Sequence, residues 1–213
     1  SMFVINGLRL DFTSSYGLFG VYEIPAILGF LVTVFVFVLI TNAYNLIDGI
    51  DGLASVLGIF TACFFGIWFY LAGFTNEAIL AFSTMGGLAA FLRYNFSQHN
   101  KIFLGDTGAL IVGAISATMF FQFLTLNESM INTSYYLENG PIVALCVVSI
   151  PLFDVLRLFI SRILAGRSPF HPDRNHIHHL LIDSKVSHKK ATFIIGTLNF
   201  SMMFTALYFF ISF

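Results

Sequence analysis

The chain has 213 residues, 57% of them hydrophobic and only 10% charged, with a formal net charge of −1 and a mean hydropathy of +0.86. Soluble domains are about 45–50% apolar and about 25% charged, so this composition argues against a water-soluble fold, and the near-neutral balance gives no reason to expect nucleic acid or an acidic partner. Long apolar runs recur in place of alternating ones, which points to membrane-spanning helices over a β-barrel, and the expected class is an all-α polytopic membrane helix bundle.

Residues 1–24 are mixed in character, carry Asp11 and Glu23, and lack the basic-then-apolar order of a signal peptide. Ser1-Met2 has the look of a cloning remnant, and the chain is expected to begin partway through a longer protein. Crossing a hydrocarbon layer of about 30 Å takes about 20 helical residues. Six windows meet that length, at 25–41, 53–73, 78–95, 107–126, 141–164 and 192–213, so about six transmembrane helices are expected. No internal repeat or low-complexity linker divides them, which implies one transmembrane domain over 25–213. The two cysteines, Cys63 and Cys146, lie in apolar stretches and read as small buried hydrophobes.

Lysine and arginine near span ends are retained on the cytoplasmic side. Of ten such residues, nine (Arg93, Lys101, Arg157, Arg162, Arg167, Arg174, Lys185, Lys189 and Lys190) fall at the connections after the third and fifth windows, and only Arg9 falls elsewhere. The implied topology makes 42–52, 96–106 and 165–191 cytoplasmic loops and leaves 1–24 an extracytoplasmic segment, with 74–77 and 127–140 on the same outer side. Every distinctive polar cluster then lies on one face, as an active site at a membrane surface requires.

The first cluster, NAYNLIDGIDGL at 42–53, places Asn42, Asn45, Asp48 and Asp51 at strict three-residue spacing. Asp48 and Asp51 at i, i+3 would share a helix face, and paired carboxylates suit a hard Mg²⁺ ion carrying a diphosphate. A lone Asp-Gly pair is an ordinary turn former; the repeated spacing between two apolar spans goes beyond that, because ionisable groups near lipid are costly. The second cluster, FLGDTG at 103–108, opens the fourth window, where Asp106 or Thr107 could serve as an N-cap and the exposed amides would favour a phosphate or its metal. The third, SPFHPDRNHIHHLL at 168–181, holds His171, His176, His178 and His179 beside Asp173 and Arg174. Its histidines could pair with phosphate oxygens, serve as acid or base, or bind a transition metal; a structured basic loop is the plainer reading. Asp154 and Arg157, at i, i+3 in the fifth window, read equally well as an ion pair or as a substrate contact, and Lys185, Lys189 and Lys190 as an interfacial anchor.

Taken together, these three motifs resemble those of the polyprenyl-phosphate N-acetylhexosamine-1-phosphate transferases, in the order in which that family carries them and over residues from about 25 to the end. The PDR and HIHH elements look like the branch that uses UDP-N-acetylglucosamine or a similar amino sugar. The resemblance implies transfer of a sugar-1-phosphate from a UDP-N-acetylhexosamine to undecaprenyl phosphate, with release of UMP, as the first membrane step of cell-envelope polysaccharide synthesis. It implies Mg²⁺, with Mn²⁺ as a substitute, a multi-pass location in the bacterial inner membrane with the active site on the cytoplasmic face, contact with membrane lipid, and a homodimer as an open possibility. By position, Asp106 resembles the family's metal-ligand aspartate; Asp48 and Asp51 its second acidic pair; His176, His178 and His179 its diphosphate-contacting histidine motif; and Asp48, Asp51 and these three histidines are the expected catalytic residues. Asn42, Asn45, Arg174 and Asp154 are the expected substrate-binding residues. The family also carries adjacent aspartates in an earlier loop, and no such pair occurs in this chain. Two other readings follow from the same residues: a non-catalytic remnant that binds lipid or nucleotide, and a transporter with a cytoplasmic metal site, the latter disfavoured because the sequence gives no sign of broken midplane helices.

Overall fold

The computed structural model describes residues 4–5, 8–9, 25–166, 168 and 176–211. Two-residue strands β1 (Val4–Ile5) and β2 (Leu8–Arg9) pair antiparallel; the other described elements are helices, α1 (Ala26–Ile47), α2 (Leu53–Leu71), α3 (Thr75–Asn95), α4 (Gly105–Ser129), α5 (Gly140–Val147), α6 (Ser149–Leu164), α7 (Ile177–Asp183) and α8 (His188–Ile211). Helices α1, α2, α4 and α8 are long and apolar enough to cross a membrane, and α5 with α6 makes a fifth candidate if the bent pair is one span. The protein is a multi-pass membrane helix bundle.

This is slightly fewer spans than the six expected. The third window does form a helix, α3, but Glu77, Arg93 and a scatter of Asn, Ser and Thr leave it less apolar than the others. The fifth window is bent by 79° between α5 and α6. Broken helices were not expected, and the cause of this break is local. Pro151 has no N–H to donate to the Val147 carbonyl four residues earlier. In a membrane that carbonyl must find another donor, and the buried Asn199 of α8 supplies it, Nδ2 donating to Val147 O at 3.3 Å. Ser149 Oγ donates to Cys146 O at 2.8 Å beside it.

The first motif also folds differently from its expected form. Asn42 and Asn45 lie in the last turns of α1, which runs to Ile47, and residues 48–52 form a turn, so Asp48 and Asp51 do not share a helix face. Gly52 sits at φ 76°, a left-handed conformation that suits glycine and reverses the chain into α2.

Helix α2 packs along α3, α1 along α4 and against α6, and α5 against α8. Lipid is as apolar as leucine, so close packing rather than escape from water holds such helices together, and small residues at crossings allow it. At the α1–α4 crossing a Cβ on Gly113 would lie 2.6 Å from the Thr41 carbonyl oxygen. Tyr44 crosses to α2, its hydroxyl 2.8 Å from Thr61 Oγ1. At the end of the bundle away from the acidic turn, Trp68 packs edge-on against Phe123 with centroids 4.7 Å apart and donates to Tyr135 O at 3.0 Å. Buried Asn127 there holds both the N–H and the carbonyl of Leu137. The Asp48–Gly52 turn, the start of α4 and the His176–His179 stretch lie at the opposite end.

Gly113→Leu drives a side chain into backbone, which has no rotamer to give. The expected result is a loss of about 1–3 kcal/mol, the usual range for overpacking, read as a lower unfolding midpoint in detergent with no change in helix content.

Candidate active site

Asp48, Asp51 and Asp106 line one cleft of about 290 Å³, together with Gly49, Asn95, Lys101, Phe103 and His188. It forms where α1 and α3 end and α2, α4 and α8 begin, so residues distant in sequence meet. Asp106 stands in the first turn of α4 and is not a cap: the N-cap is Leu104, with no side-chain capping bond. A carboxylate there is favoured by the positive end of the helix. Asn45 reaches down from α1 and donates its amide to Asp106 Oδ1 at 3.4 Å, a direct link between the first and second motifs.

The three carboxylates differ in their surroundings. Asp51 accepts from Lys101 Nζ at 2.7 Å and lies 3.5 Å from His188 Nδ1, while its main-chain carbonyl accepts from Thr192 Oγ1 at 2.7 Å. Among the described residues Asp48 and Asp106 have no cationic partner. Burial, then the like charges of Asp106 and Asp51, pushes the Asp48 carboxyl up to about 7. Burial and the neighbouring carboxylates thus both favour the neutral form of Asp48.

The histidine segment joins this site from below. His178 is buried and presses its imidazole on Gly49, where an added Cβ would collide with the ring. His176 stacks on His178 at 5.6 Å and 13°, and His179 lies 4.3 Å from His178. Burial, then His179 and His176, pushes His178 down to about 4, against an opposing pull from Asp154. It is therefore a neutral ring at physiological pH, and among the described residues neither of its nitrogens has a hydrogen-bond partner.

Asp154 anchors that segment. Its carboxylate, buried in α6, accepts from His176 Nδ1 at 2.8 Å, the Ile177 backbone N–H at 2.9 Å and Arg157 at 3.1 Å. The expected ion pair is present, and the three bonds direct Asp154 inward to the histidine segment; it is absent from the cleft lining. Asn42 also stays outside the cleft, its amide donating back to Val38 O. Arg174, His171 and Asp173 lie outside the described residues. Lys101 and His188 were missed as site residues. Lys101 lies only two positions before the FLGDTG motif, a usable signal; His188 was hidden beside Lys189 and Lys190.

The family model described as glycosyl transferase family 4 matches residues 1–124. The chain belongs to that family. It is 32% identical over 173 residues to an undecaprenyl-phosphate alpha-N-acetylglucosaminyl 1-phosphate transferase of Yersinia pestis, covering 80% of this chain and 45% of the relative. The Escherichia coli (strain K12) protein of the same name is 30% identical over 192 residues, with 88% and 50% covered. A decaprenyl-phosphate N-acetylglucosaminephosphotransferase of Mycobacterium leprae is 33% identical over 176 residues, with 78% and 44% covered. The chain thus spans about half the length of the curated relatives it matches.

Two opposite pH effects are expected. Asp48, raised above its unfolded value, binds more protons when folded, so its contribution to stability falls as pH rises from about 4 to about 7. His178, lowered to about 4, makes stability fall as pH drops from about 6.5 toward 4. Asp48→Asn should therefore raise the melting temperature relative to wild type at pH 8 and not at pH 4. A histidine-selective NMR titration should find the His178 ring still neutral at pH 5.5.

Proposed function

We propose that this chain carries the phosphoryl-transfer centre of a polyprenyl-phosphate N-acetylhexosamine-1-phosphate transferase. The donor is a UDP-N-acetylhexosamine, N-acetylglucosamine being the favoured sugar, and the acceptor is undecaprenyl phosphate. UMP leaves on the cytoplasmic face of the bacterial inner membrane, in the first membrane step of an envelope polysaccharide. The observation that carries the reading is the meeting of Asp48, Asp51 and Asp106 in one cleft whose floor is braced by the histidine motif through Gly49.

An oxygen of the lipid phosphate forms the new bond to the β-phosphorus of the donor, while the bond from that phosphorus to the bridging oxygen breaks and its electrons leave on UMP. Such chemistry is mostly positioning and charge stabilisation. Lys101 is the cation of the cleft that can approach the phosphates, by exchanging Asp51 for a phosphate oxygen, and His188 lies beside the same carboxylate as a hydrogen-bonding group. Neutral His178 keeps the turn at Gly49 rigid. Arg174, in the same motif as the histidines, is assigned to the donor phosphates.

The residues present fit a hard divalent cation. Among the described residues no three His, Cys, Asp or Glu side chains are close enough to enclose a metal by themselves. Mg²⁺ seldom needs that, because it is held by one or two carboxylates plus substrate phosphates and water. Asp106 and Asp48, the two cleft carboxylates without a cationic partner among the described residues, are the ones that would hold it. When bound, Mg²⁺ or Mn²⁺ neutralises charge on the diphosphate as a Lewis acid.

Asp106→Asn should lower metal-dependent UMP release from UDP-N-acetylglucosamine by more than the roughly 10–100-fold that loss of a mere supporting partner costs. Normal release by this variant, assayed in the purified protein with undecaprenyl phosphate, defeats the metal role. Absence of any lipid-linked sugar from the wild-type protein under the same conditions favours the non-catalytic, lipid- or nucleotide-binding reading.

A further inference from the structure

A second cavity, of about 210 Å³, runs between α2 and α8 and opens sideways from the bundle. Its walls are Val56 and Phe60 from α2 and Phe193 and Gly196 from α8, and its motif-side end is closed by Phe96 and Lys189. The walls are almost wholly apolar, and both helices are long and apolar enough to cross a membrane. Only its closed end carries charge. Lys189 Nζ lies over the Phe96 ring at 5.6 Å from the centroid, and among the described residues it has no carboxylate partner. Helix α8 opens His188-Lys189-Lys190 with no acidic residue in its first turn, so the cationic charge there adds to the positive end of the helix instead of offsetting it. An apolar channel ending in an uncompensated cation is complementary to one kind of molecule, an acyl chain bearing an anion.

We infer that the α2–α8 groove seats an anionic bilayer phospholipid, its acyl chain between Val56, Phe60, Phe193 and Gly196 and its phosphate on Lys189. Basic pockets between transmembrane helices bind anionic headgroups in this way. The seat is distinct from the acidic cleft. His188 lines the cleft and Lys189 the groove, and successive helical residues point about 100° apart. A phosphate on Lys189 therefore lies on a different face of the α8 first turn from the one that lines the acidic cleft, which makes a bilayer lipid a better occupant than the acceptor of the proposed reaction. The two sites are nonetheless joined, since Thr192 lines the groove and donates to the main chain of Asp51. Occupation of the groove holds α8 against the acidic turn.

The test does not depend on turnover. The full chain is placed in nanodiscs of phosphatidylcholine containing a minor fraction of phosphatidylglycerol with matched acyl chains, and retained lipid is counted by native mass spectrometry. The wild type should retain phosphatidylglycerol in preference. Lys189→Gln should reduce that preference about fivefold, the effect of about 1 kcal/mol for one lysine at an anionic headgroup, and Lys189→Arg should keep it. Thr197→Trp, which fills the groove from an exposed position, should lower retention of both lipids; melting temperatures in detergent identify any variant that is misfolded. Equal retention by wild type and folded Lys189→Gln overturns the inference. So does stoichiometric displacement of phosphatidylglycerol by undecaprenyl phosphate, which would make the groove the acceptor's seat.

Discussion

One buried carboxylate organises the part of this protein that matters for chemistry. Asp154 sits in α6 just beyond the 79° bend and takes three donors, from Arg157, His176 and the Ile177 backbone. Burying a charge is tolerable only when it is paired and hydrogen-bonded, and here the partners come from the segment that has to be positioned. The bend sends α6 against α1 as the bundle is built, and Asp154 converts that packing into a fixed place for His176. From His176 the contact passes through a stack of two rings to His178 and then to Gly49, one residue from Asp48. The position of the acidic turn thus depends on a proline's missing N–H some hundred residues later in the chain, and on Asn199 taking over the carbonyl that the proline abandons.

The same low dielectric that makes Asp154 a strong anchor makes the cleft demanding. Three carboxylates there share the charge of Lys101, and both Lys101 and the His188 ring face Asp51. Asp51 is in consequence the satisfied member, tied on its side chain by Lys101 and on its main chain by Thr192, and it holds the turn to α8 and to the 96–104 connection. Asp48 and Asp106 are left facing each other's field. The paired aspartates of the first motif therefore divide into a structural partner and an electrostatically exposed one, a division that identical spacing in the sequence conceals.

How much the sequence revealed follows from the range of each interaction. Helix positions were legible because apolar runs long enough to span a bilayer have few alternatives, and the three motifs were legible because charge in such a chain is rare enough to stand out. Termini of helices were less so: α1 absorbs Asn42 and Asn45, and Gly105, not an Asp106 cap, begins α4, since these boundaries depend on contacts such as Asn45 to Asp106. The break at Val148 was overlooked although Pro151 was visible, because its compensation by Asn199 lies 52 residues away. Asp154 could be paired with Arg157 from spacing, but its larger task, holding His176, joins residues 22 apart. Lys101 and His188 enter the site through partners 50 or more residues distant, which no local pattern encodes.

The neutrality of His178 is the last link in this arrangement. A charged imidazole at that position would lie among His176, His179 and His188 in a buried place, and each of those neighbours together with burial disfavours it. Protonation would also bring a cation against Gly49, beside the excess negative charge of Asp48, and so would compete with any ligand cation drawn to that carboxylate. Keeping His178 neutral leaves Asp48, Asp106 and the Asp51-bound ammonium of Lys101 to set the charge of the cleft. The histidine motif therefore acts on the cleft through shape, and the aspartates act on it through charge.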